Sequence, residues 1–210
     1  HRDLHSFPTR RSSDLFNSIA PIYGLFFSFQ KRRYSRTLAC MQRFLTYETI
    51  LDVGCGTGAL CSALSDRGLA VTGIEPASKM LAIAKRKNYD NATTFIQADA
   101  TQALPFTDKQ FDVVIASYVA HGMKQEMRTN LYRQMGRVAK QYVIIHDYNA
   151  SRSPLTSLVE YLEGGDYFHF IKHAQREMEE CKTELEHCFS KVEVVQVGKR
   201  ANWYICTPQR

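Results

Sequence analysis

The residues with the clearest potential for chemistry form a glycine-rich loop directly after an apolar run. Residues 50–60 read Ile-Leu-Asp-Val-Gly-Cys-Gly-Thr-Gly-Ala-Leu. Glycine has no Cβ, so the backbone can turn sharply at Gly54, Gly56 and Gly58 and a ligand can lie against it. A loop between a strand and a helix places that ligand at the carboxyl end of the strand, beside the helix N-terminus. The loop alone also fits the dinucleotide fingerprint G-x-G-x-x-G/A.

An acidic residue follows the next apolar run and indicates which class of ligand the loop binds. Residues 70–74 are apolar, and Glu75 follows them. A carboxylate at the tip of a second strand can accept two hydrogen bonds from ribose hydroxyls. Pro76 then suits the start of a helix predicted over residues 78–87. The combination favours a ligand that carries a ribose.

Two further segments complete a recognisable order. Residues 95–100 read Phe-Ile-Gln-Ala-Asp-Ala, and residues 111–117 read Phe-Asp-Val-Val-Ile-Ala-Ser, a fourth strand. With the glycine loop and Glu75, they resemble the class I S-adenosylmethionine (SAM) dependent methyltransferases, in particular the small-molecule branch that includes ubiquinone/menaquinone-type enzymes. The resemblance covers residues 16–210. The acidic Asp52 and the Asp99-Ala100 pair separate it from a nicotinamide dehydrogenase.

The resemblance implies SAM as the methyl donor, S-adenosylhomocysteine as its product, and a set of cofactor contacts. The glycines would admit the methionine portion, and Asp52 stands where the family holds the methionine amino group. Glu75 would accept hydrogen bonds from the ribose hydroxyls, and Asp99 would accept one from the adenine amino group. The predicted cofactor-binding residues are Asp52, Gly54, Cys55, Gly56, Gly58, Glu75, Pro76, Asp99, Ala100 and Ser117. For Asp52 and Ser117, ordinary loop hydrogen bonding is the alternative role.

The candidate acceptor side follows strands four and five, whose carboxyl ends face the same crevice. Because a sulfonium methyl is already activated, the protein mainly has to align the acceptor with it. We predict Tyr118, His121 and His146 as catalytic residues, since a histidine can remove a proton near neutral pH. Asp147 and Tyr148 are predicted to face the substrate. Packing is the alternative role of each histidine, and an acceptor that loses its proton after transfer needs no strong base.

The residues after strand four argue against a DNA substrate. Ser117-Tyr118-Val119-Ala120 stands where an Asn/Asp-Pro-Pro-Tyr/Phe motif would indicate amino methylation of bases. A Pro-Cys nucleophile for cytosine C5 methylation is also missing there. We therefore expect a small acceptor, hydrophobic or aromatic, and no nucleic-acid partner.

An aromatic segment precedes the glycine loop. Residues 16–29 contain a Phe-x-x-Ile-Ala-x-x-Tyr pattern that resembles the lead segment of quinone-type methyltransferases, which helps cover the cofactor cleft. Tyr23 is the predicted lid contact, and a helix packed on the sheet is the alternative. Lys31, Arg32, Arg33 and Arg36 follow.

These four basic residues suit a membrane surface, nucleic acid or an anionic substrate, or simply the solvated face of a helix. They also define the alternative function, a non-catalytic SAM-binding or RNA-binding module or an RNA methyltransferase. The formal charge of +6 is compatible with acidic partners but identifies none.

Other features carry weaker signals. His169, His173 and Glu177 have helical spacing but lack further ligands, so no metal is expected. The Ser-rich segment 149–166 is either a substrate-facing insertion or a surface connection. None of the 6 cysteines forms a Cys-x-x-Cys pair, which favours reduced thiols in the cytoplasm. No apolar stretch is long enough to span a bilayer, peripheral membrane contact stays open, and either a monomer or a homodimer is compatible.

The periodicity predicts an α/β fold, with strands at 50–53, 70–74, 93–97, 111–116, 142–146, 192–197 and 202–207. Helices are predicted over 16–46, 59–67, 78–87, 124–138 and 167–188. By the resemblance, these elements form a Rossmann-like, doubly wound, seven-stranded sheet that is parallel except for one strand near the C-terminus. Residues 16–48 would form a helical cap segment and residues 49–210 the methyltransferase domain.

Residues 1–15 require a separate explanation. They read His-Arg-Asp-Leu-His-Ser-Phe-Pro-Thr-Arg-Arg-Ser-Ser-Asp-Leu, and their back-translation matches a widely used sequencing-adapter oligonucleotide. We expect this segment to be a disordered library artefact fused to a truncated gene, so it is excluded from the fold argument. A natural nucleic-acid-binding arm is the alternative.

Overall fold

A computed structural model describes residues 9–39, 46–89, 93–121, 123–149, 181–199 and 201–209. Its helices are α1 (Thr9–Leu38), α2 (Ala59–Ser65), α3 (Ser78–Lys87), α4 (Gln125–Val138) and α5 (residues 181–188). Its strands are β1 (Thr49–Val53), β2 (Ala70–Ile74), β3 (Thr94–Ile96), β4 (Phe111–Ser117), β5 (Ala139–Tyr148), β6 (Phe189–Gly198) and β7 (Ala201–Pro208).

The strands form one sheet of seven in the order β3-β2-β1-β4-β5-β7-β6. The first five pair in parallel, while β7 runs antiparallel to both β5 and β6. The order of the strands in the sheet reverses at β1, since β2 lies on one side of β1 and β4 on the other. This arrangement confirms the predicted fold class and places the carboxyl ends of β1, β2 and β4 beside one another.

Alternate residues of the central strands bury opposite faces of the sheet. Ile50 and Val113 belong to a core shared with Leu60 and Leu64 of α2. Leu51 and its neighbours on the other face belong to a core shared with Leu131 and Met135 of α4. Helices therefore cover both faces, which is the doubly wound arrangement that the apolar strands require.

Helix α1 differs most from its predicted bounds. It begins at Thr9 and ends at Leu38, where a helix over residues 16–46 was expected. Residues 9–15, expected to be disordered, are helical because extending an existing helix costs little per residue. Whether residues 1–15 are native stays a prediction.

Contacts along α1 attach it to the domain rather than leaving it separate. Arg67 after α2 donates to the Ser35 carbonyl at 2.7 Å, and the Lys79 N–H of α3 donates to Asn17 Oδ1 at 2.8 Å. Leu38 is fully buried with the α2 core. The cap segment is therefore packed against α2 and α3.

Two strands begin three residues earlier than predicted. Strand β5 begins at Ala139, directly after α4, rather than at residue 142, and β6 begins at Phe189 rather than residue 192. Both extensions lie beside irregular pairing, at Phe111/Val113 and at Phe189/Lys191. Polar residues there hide the alternation that predicts strands, whereas the backbone pairing continues.

The predicted helix 167–188 is described only from residue 181, and that part is helical. Its Glu184 forms a bidentate ion pair with Arg128 of α4, at 2.6 and 2.7 Å. Residues 150–180, which include all of the Ser-rich segment 149–166 except Asn149, lie outside the described residues. Among the described helices, none combines the length and apolarity needed to cross a bilayer.

Candidate functional site

The glycine loop after β1 has left-handed backbone at all three of its glycines. The φ angles are 69° at Gly54, 54° at Gly56 and 79° at Gly58. A Cβ on Gly54 would lie 2.7 Å from Val119 Cγ2, and one on Gly58 would lie 2.8 Å from Asn88 Nδ2. A Cβ on Gly56 would meet nothing within 4 Å. Two glycines therefore allow close packing, while Gly56 faces open space where a ligand can lie.

Glu75 accepts hydrogen bonds from the glycine loop and from the residue that precedes α3. Its Oε2 accepts the Gly56 N–H at 3.0 Å, and its Oε1 accepts the Ala77 N–H at 2.9 Å. Burial raises the pKa of this carboxyl, and the two N–H donors oppose that rise. Each oxygen keeps a second lone pair for a further donor.

Asp52 lies in β1, two residues before Gly54. It is almost completely buried, and its Oδ2 lies 3.1 Å from Cys61 Sγ of α2. Burial raises the pKa of Asp52 to about 7, and nearby Glu75 contributes to the rise. Cys55, also predicted as a cofactor contact, is buried within the α2 core.

The third carboxylate of this edge is Asp99, after β3. Its Oδ1 accepts from the backbone N–H and hydroxyl of Thr101, at 2.9 and 2.7 Å, which fixes the loop. Ala100 is buried beside it, and Gln97 Nε2 donates to the Pro76 carbonyl at 3.0 Å. The ends of β2 and β3 are thus joined, with Pro76 between Glu75 and α3.

Of the three acidic residues, Glu75 contacts Gly56 directly, while Asp52 precedes the loop in β1 and Asp99 follows β3. Glu75 interacts electrostatically with both Asp52 and Asp99. Within the described part of the chain, none of the three forms a salt bridge. SAM carries a sulfonium and an ammonium group, so an edge with three acidic residues suits its positive charge.

On the acceptor side, β4 and β5 bring Ser117 and His146 together. Ser117 Oγ lies 2.8 Å from His146 Nδ1 and donates to the Tyr34 hydroxyl of α1 at 3.0 Å. His146 is buried, and its ring packs edge-on against Trp203 of β7. Burial lowers the pKa of His146 to about 4, so it is neutral at pH 7 and a weak base. Its surroundings favour the packing role that was the alternative for this histidine.

Tyr118 occupies a strained backbone position directly after β4. Its φ is 58°, in the left-handed region that non-glycine residues rarely adopt. Its N–H donates to the His146 carbonyl at 2.8 Å, and its hydroxyl accepts from Arg33 of α1 at 3.3 Å. Its ring lies 4.6 Å from that of His146 and 4.7 Å from that of Tyr148. These contacts hold the strained backbone in place, and such strain is often found at functional sites.

His121 and Asp147 form a histidine–carboxylate pair beside this aromatic cluster. His121 Nδ1 lies 2.8 Å from Asp147 Oδ1, and the His121 N–H donates to Oδ2 at 3.0 Å. Burial would raise the pKa of Asp147, yet His121 and the backbone donors hold it below its ordinary value. When the ring proton is on Nδ1, next to the carboxylate, Nε2 is the proton-accepting atom. The His121 ring also lies 4.9 Å from that of Tyr148.

Sequence reasoning did not assign two residues of α1 to this site. Tyr34 contacts Ser117 and Arg33 contacts Tyr118. Tyr23 packs with the α3 cluster around Met80 and Ile83, so its lid role stays a prediction. The only available signal was a hydroxyl on the apolar face of a helix.

No group of three or more potential metal ligands occurs among the described side chains. His169, His173 and Glu177 lie outside the described residues. The expectation of no metal therefore stays a prediction.

Comparisons with known proteins agree with this geometry. The methyltransferase domain family matches residues 50–142. Demethylmenaquinone methyltransferase of Tropheryma whipplei (strain Twist) is 36% identical over 118 residues, which are 53% of this chain and 48% of the relative. Ubiquinone biosynthesis O-methyltransferase of Pseudomonas paraeruginosa is 40% identical over 72 residues, 33% of this chain and 31% of the relative. The chain thus spans about half the length of the first relative and less of the second.

A solved structure extends the similarity in fold to nearly the whole chain. It is a candidate S-adenosyl-L-methionine-dependent methyltransferase from Methanococcus maripaludis, 17% identical, with a TM-score of 0.71. The match covers 92% of this chain and 94% of that one. Together with the residues of the glycine loop, Glu75 and Asp99, these similarities indicate a methyltransferase domain over residues 50–142, within a chain that has the fold of SAM-dependent methyltransferases.

Proposed function

We propose that this protein transfers a methyl group from SAM to a small aromatic acceptor of the quinol type. The observation that carries the donor half is the open side of Gly56 beside Glu75, whose Oε2 accepts the Gly56 N–H at 3.0 Å. When bound, SAM supplies a methyl group already activated on sulfur. The chain's own task is to bind, to orient and to exclude water.

The donor residues are assigned separate tasks in this proposal. Glu75 is oriented by the Gly56 and Ala77 N–H groups and accepts hydrogen bonds from the ribose hydroxyls. Asp52 compensates the ammonium group, which would offset the burial that raises its pKa. Asp99, oriented by Thr101, accepts from the adenine amino group.

The acceptor half rests on the aromatic cluster of Tyr118, His121, His146 and Tyr148. Rings with centroids 4.6–4.9 Å apart form an apolar wall suited to a flat aromatic ring. The name of the Tropheryma relative supports a quinone-type acceptor. His121 Nε2, oriented by Asp147, is the proposed proton acceptor, and His146 is a positioning residue.

A non-catalytic or RNA-binding module is not favoured. The carboxylates and the glycine of the donor side are all in place, and the acceptor side forms a second cluster beside them. A cytoplasmic location and the oligomeric state stay predictions.

Calorimetry with paired glycine variants tests the donor half. Gly56→Ala fills the open side of the loop and should weaken SAM and S-adenosylhomocysteine binding at least tenfold. Gly68→Ala is the matched control, because Gly68 also has positive φ (82°) with nothing within 4 Å of its Cβ position. Both variants pay a similar backbone cost of about 1–2 kcal/mol, so only the ligand effect separates them.

NADH serves as the competing ligand in the same experiment. Tight NADH binding without any response to SAM would refute the proposal. Transfer of labelled methyl to a demethylated quinol, but not to RNA, would support the acceptor half. Labelling of RNA alone would replace it with the alternative function.

A further inference from the structure

One face of α1 carries four large apolar side chains that are exposed to solvent, followed by three arginines. We call it the outward face of α1 and define it as Ile22, Leu25, Phe26, Phe29, Arg32, Arg33 and Arg36. Its four apolar members are 54%, 83%, 56% and 65% exposed, in that order. Steps of three and four residues keep the whole set on one side of the helix. Large hydrophobic residues exposed together mark an interaction surface more often than a solvated one.

The second half of this face is cationic. Arg32, Arg33 and Arg36 line an open groove of about 540 Å³ together with Lys199, from the turn between β6 and β7. Phe29 lines the same groove, so the apolar and cationic halves are continuous. No acidic residue occurs between Asp14 and Glu48, and Lys31 turns away to pair with Asp66 at 2.8 Å.

The composition of the face selects the kind of partner. Arginines suit phosphate groups of either a lipid surface or a nucleic acid. Ile22 and Leu25 do not stack on bases, and Leu25 is the most exposed of the four apolar residues. Aliphatic and aromatic side chains beside a basic row are typical of helices that lie in a membrane interface.

We propose that the outward face of α1 docks on the surface of an anionic lipid bilayer. Ile22, Leu25 and Phe29 enter the interface, while Arg32, Arg36 and Lys199 contact lipid phosphates. Arg33 reaches the Tyr118 hydroxyl at 3.3 Å, so docking brings the aromatic cluster close to the bilayer. A hydrophobic acceptor dissolved in lipid would then have a short path to that cluster, a consequence that rests on the proposed function. The docking itself does not.

Vesicle co-sedimentation of the full chain tests the proposal. We expect binding to vesicles of equimolar phosphatidylcholine and phosphatidylglycerol, little binding to phosphatidylcholine alone, and release by high salt. Inorganic phosphate at matched ionic strength should not compete, which separates a lipid surface from a site for free anions. Because SAM binding is measured separately, failure here and failure of the proposed activity can be told apart.

Two pairs of variants and their controls locate the surface. Arg32→Gln and Arg36→Gln should each weaken binding about fivefold, and Leu25→Ser with Phe29→Ser at least about tenfold. Lys85→Gln with Arg86→Gln on α3 removes two exposed charges elsewhere and should leave binding within twofold. Tyr89→Ser, which truncates a residue 80% exposed, is the apolar control. Circular dichroism should show every variant folded.

A fluorescent variant reports the contact directly. The chain has a single tryptophan, Trp203, which is buried, so Phe29→Trp adds one exposed indole. Its emission should shift to the blue with anionic vesicles. The proposal is overturned by equal binding to both vesicle types, by equal losses in the control variants, or by RNA binding without vesicle binding. It is also overturned if Leu25→Ser with Phe29→Ser splits a dimer while vesicles never bind.

Discussion

The donor and acceptor sides of the crevice are built from different parts of the polypeptide. On the donor side, a carboxylate accepts from backbone N–H groups of a short loop and a helix start, as Glu75 does from Gly56 and Ala77. On the acceptor side, side chain meets side chain across long separations, as Ser117 meets Tyr34 of α1. The donor side is therefore specified by local motifs, and the acceptor side by the packing of distant elements.

The same contrast governs the charged groups. Burial raises the pKa of Asp52 on the donor side, and the nearby Glu75 adds to the rise. Asp147 on the acceptor side is as deeply buried, yet His121 and backbone donors lower its pKa. Burial alone does not decide ionisation; the partners do.

The largest expected effect is loss of the donor-side carboxylate. Glu75→Ala should weaken SAM binding about a thousandfold, since two charge-assisted hydrogen bonds contribute about 1.5–3 kcal/mol each. Glu75→Gln should lie between, because an amide offers only one oxygen to the two N–H donors. Tyr148→Phe, on the acceptor side, should leave the calorimetric affinity for SAM nearly unchanged. A comparable loss in Tyr148→Phe would show that the two sides are not independent.

The buried carboxyls of Asp52 and Asp147 should change the free energy of unfolding with pH in opposite directions. Folded Asp52 stays protonated up to about pH 7 while its unfolded form ionises near 3.8, so its contribution to stability falls as pH rises through that window. The change amounts to at most about 4 kcal/mol, and Asp52→Asn should remove it. Urea unfolding at pH 4 to 8 without cofactor measures the slope.

Asp147→Asn provides the contrast in the same measurement. The lowered pKa of Asp147 means that its contribution is present above the unfolded pKa and disappears as pH falls through the folded pKa. Its variant should lose stability near neutral pH and show less acid sensitivity. Equal slopes in both variants would contradict the assignment.

His121→Ala should separate catalysis from donor binding. Loss of the proposed proton acceptor should lower kcat on a quinol acceptor about a hundredfold, with SAM affinity preserved. His121→Gln controls for volume. An unchanged kcat in His121→Ala would mean that the proton leaves without a base. A wild-type kcat that does not vary with pH would mean the same.

Gly58→Ala should act on the fold rather than on the ligand. An added Cβ would meet Asn88 Nδ2 at 2.8 Å and Phe95 Cζ at 3.1 Å, so overpacking should cost about 1–3 kcal/mol. That corresponds to a Tm lower by several degrees. Calorimetric affinity for SAM below the transition should change far less than in Gly56→Ala. The reverse ranking would exchange the roles of the two glycines.

The smallest expected effect is that of Tyr118→Phe. The hydroxyl accepts one long bond, 3.3 Å from the exposed Arg33, so its loss should cost less than about 1 kcal/mol. The ring contacts with His146 and Tyr148 remain, and kcat should fall less than threefold. Tyr118→Ala removes the ring that contacts His146 and Tyr148, so it should lower kcat much more while the affinity for SAM stays the same.

Much of the donor side was predictable because its signals are local. Glycines at 54, 56 and 58, then Glu75 and the Asp99-Ala100 pair, each follow an apolar run that the period of a buried strand reveals. The predicted bounds of β2 and α3 agree with the structure. The different tasks of the glycines were not predictable, since Val119 and Asn88 approach them from elsewhere in the chain.

The acceptor side was predictable only as a set of residues after β4 and β5. That His121 pairs with Asp147 and His146 with Ser117, rather than the reverse, depends on the parallel register that sets Ser117 opposite His146. The involvement of Tyr34 and Arg33 depends on where α1 crosses the end of β4. Neither the pairing nor the crossing has a signature in the order of the residues.

By itself, the amino-acid order determined the strand–helix alternation, the glycine loop and the carboxylates at the strand tips, because each depends on neighbours within one element. Only the tertiary structure decided which histidine has a carboxylate partner, which glycine faces open space, and which face of α1 stays outside. Those outcomes depend on burial and on contacts between side chains far apart in the chain. Such contacts exist only after the elements have packed.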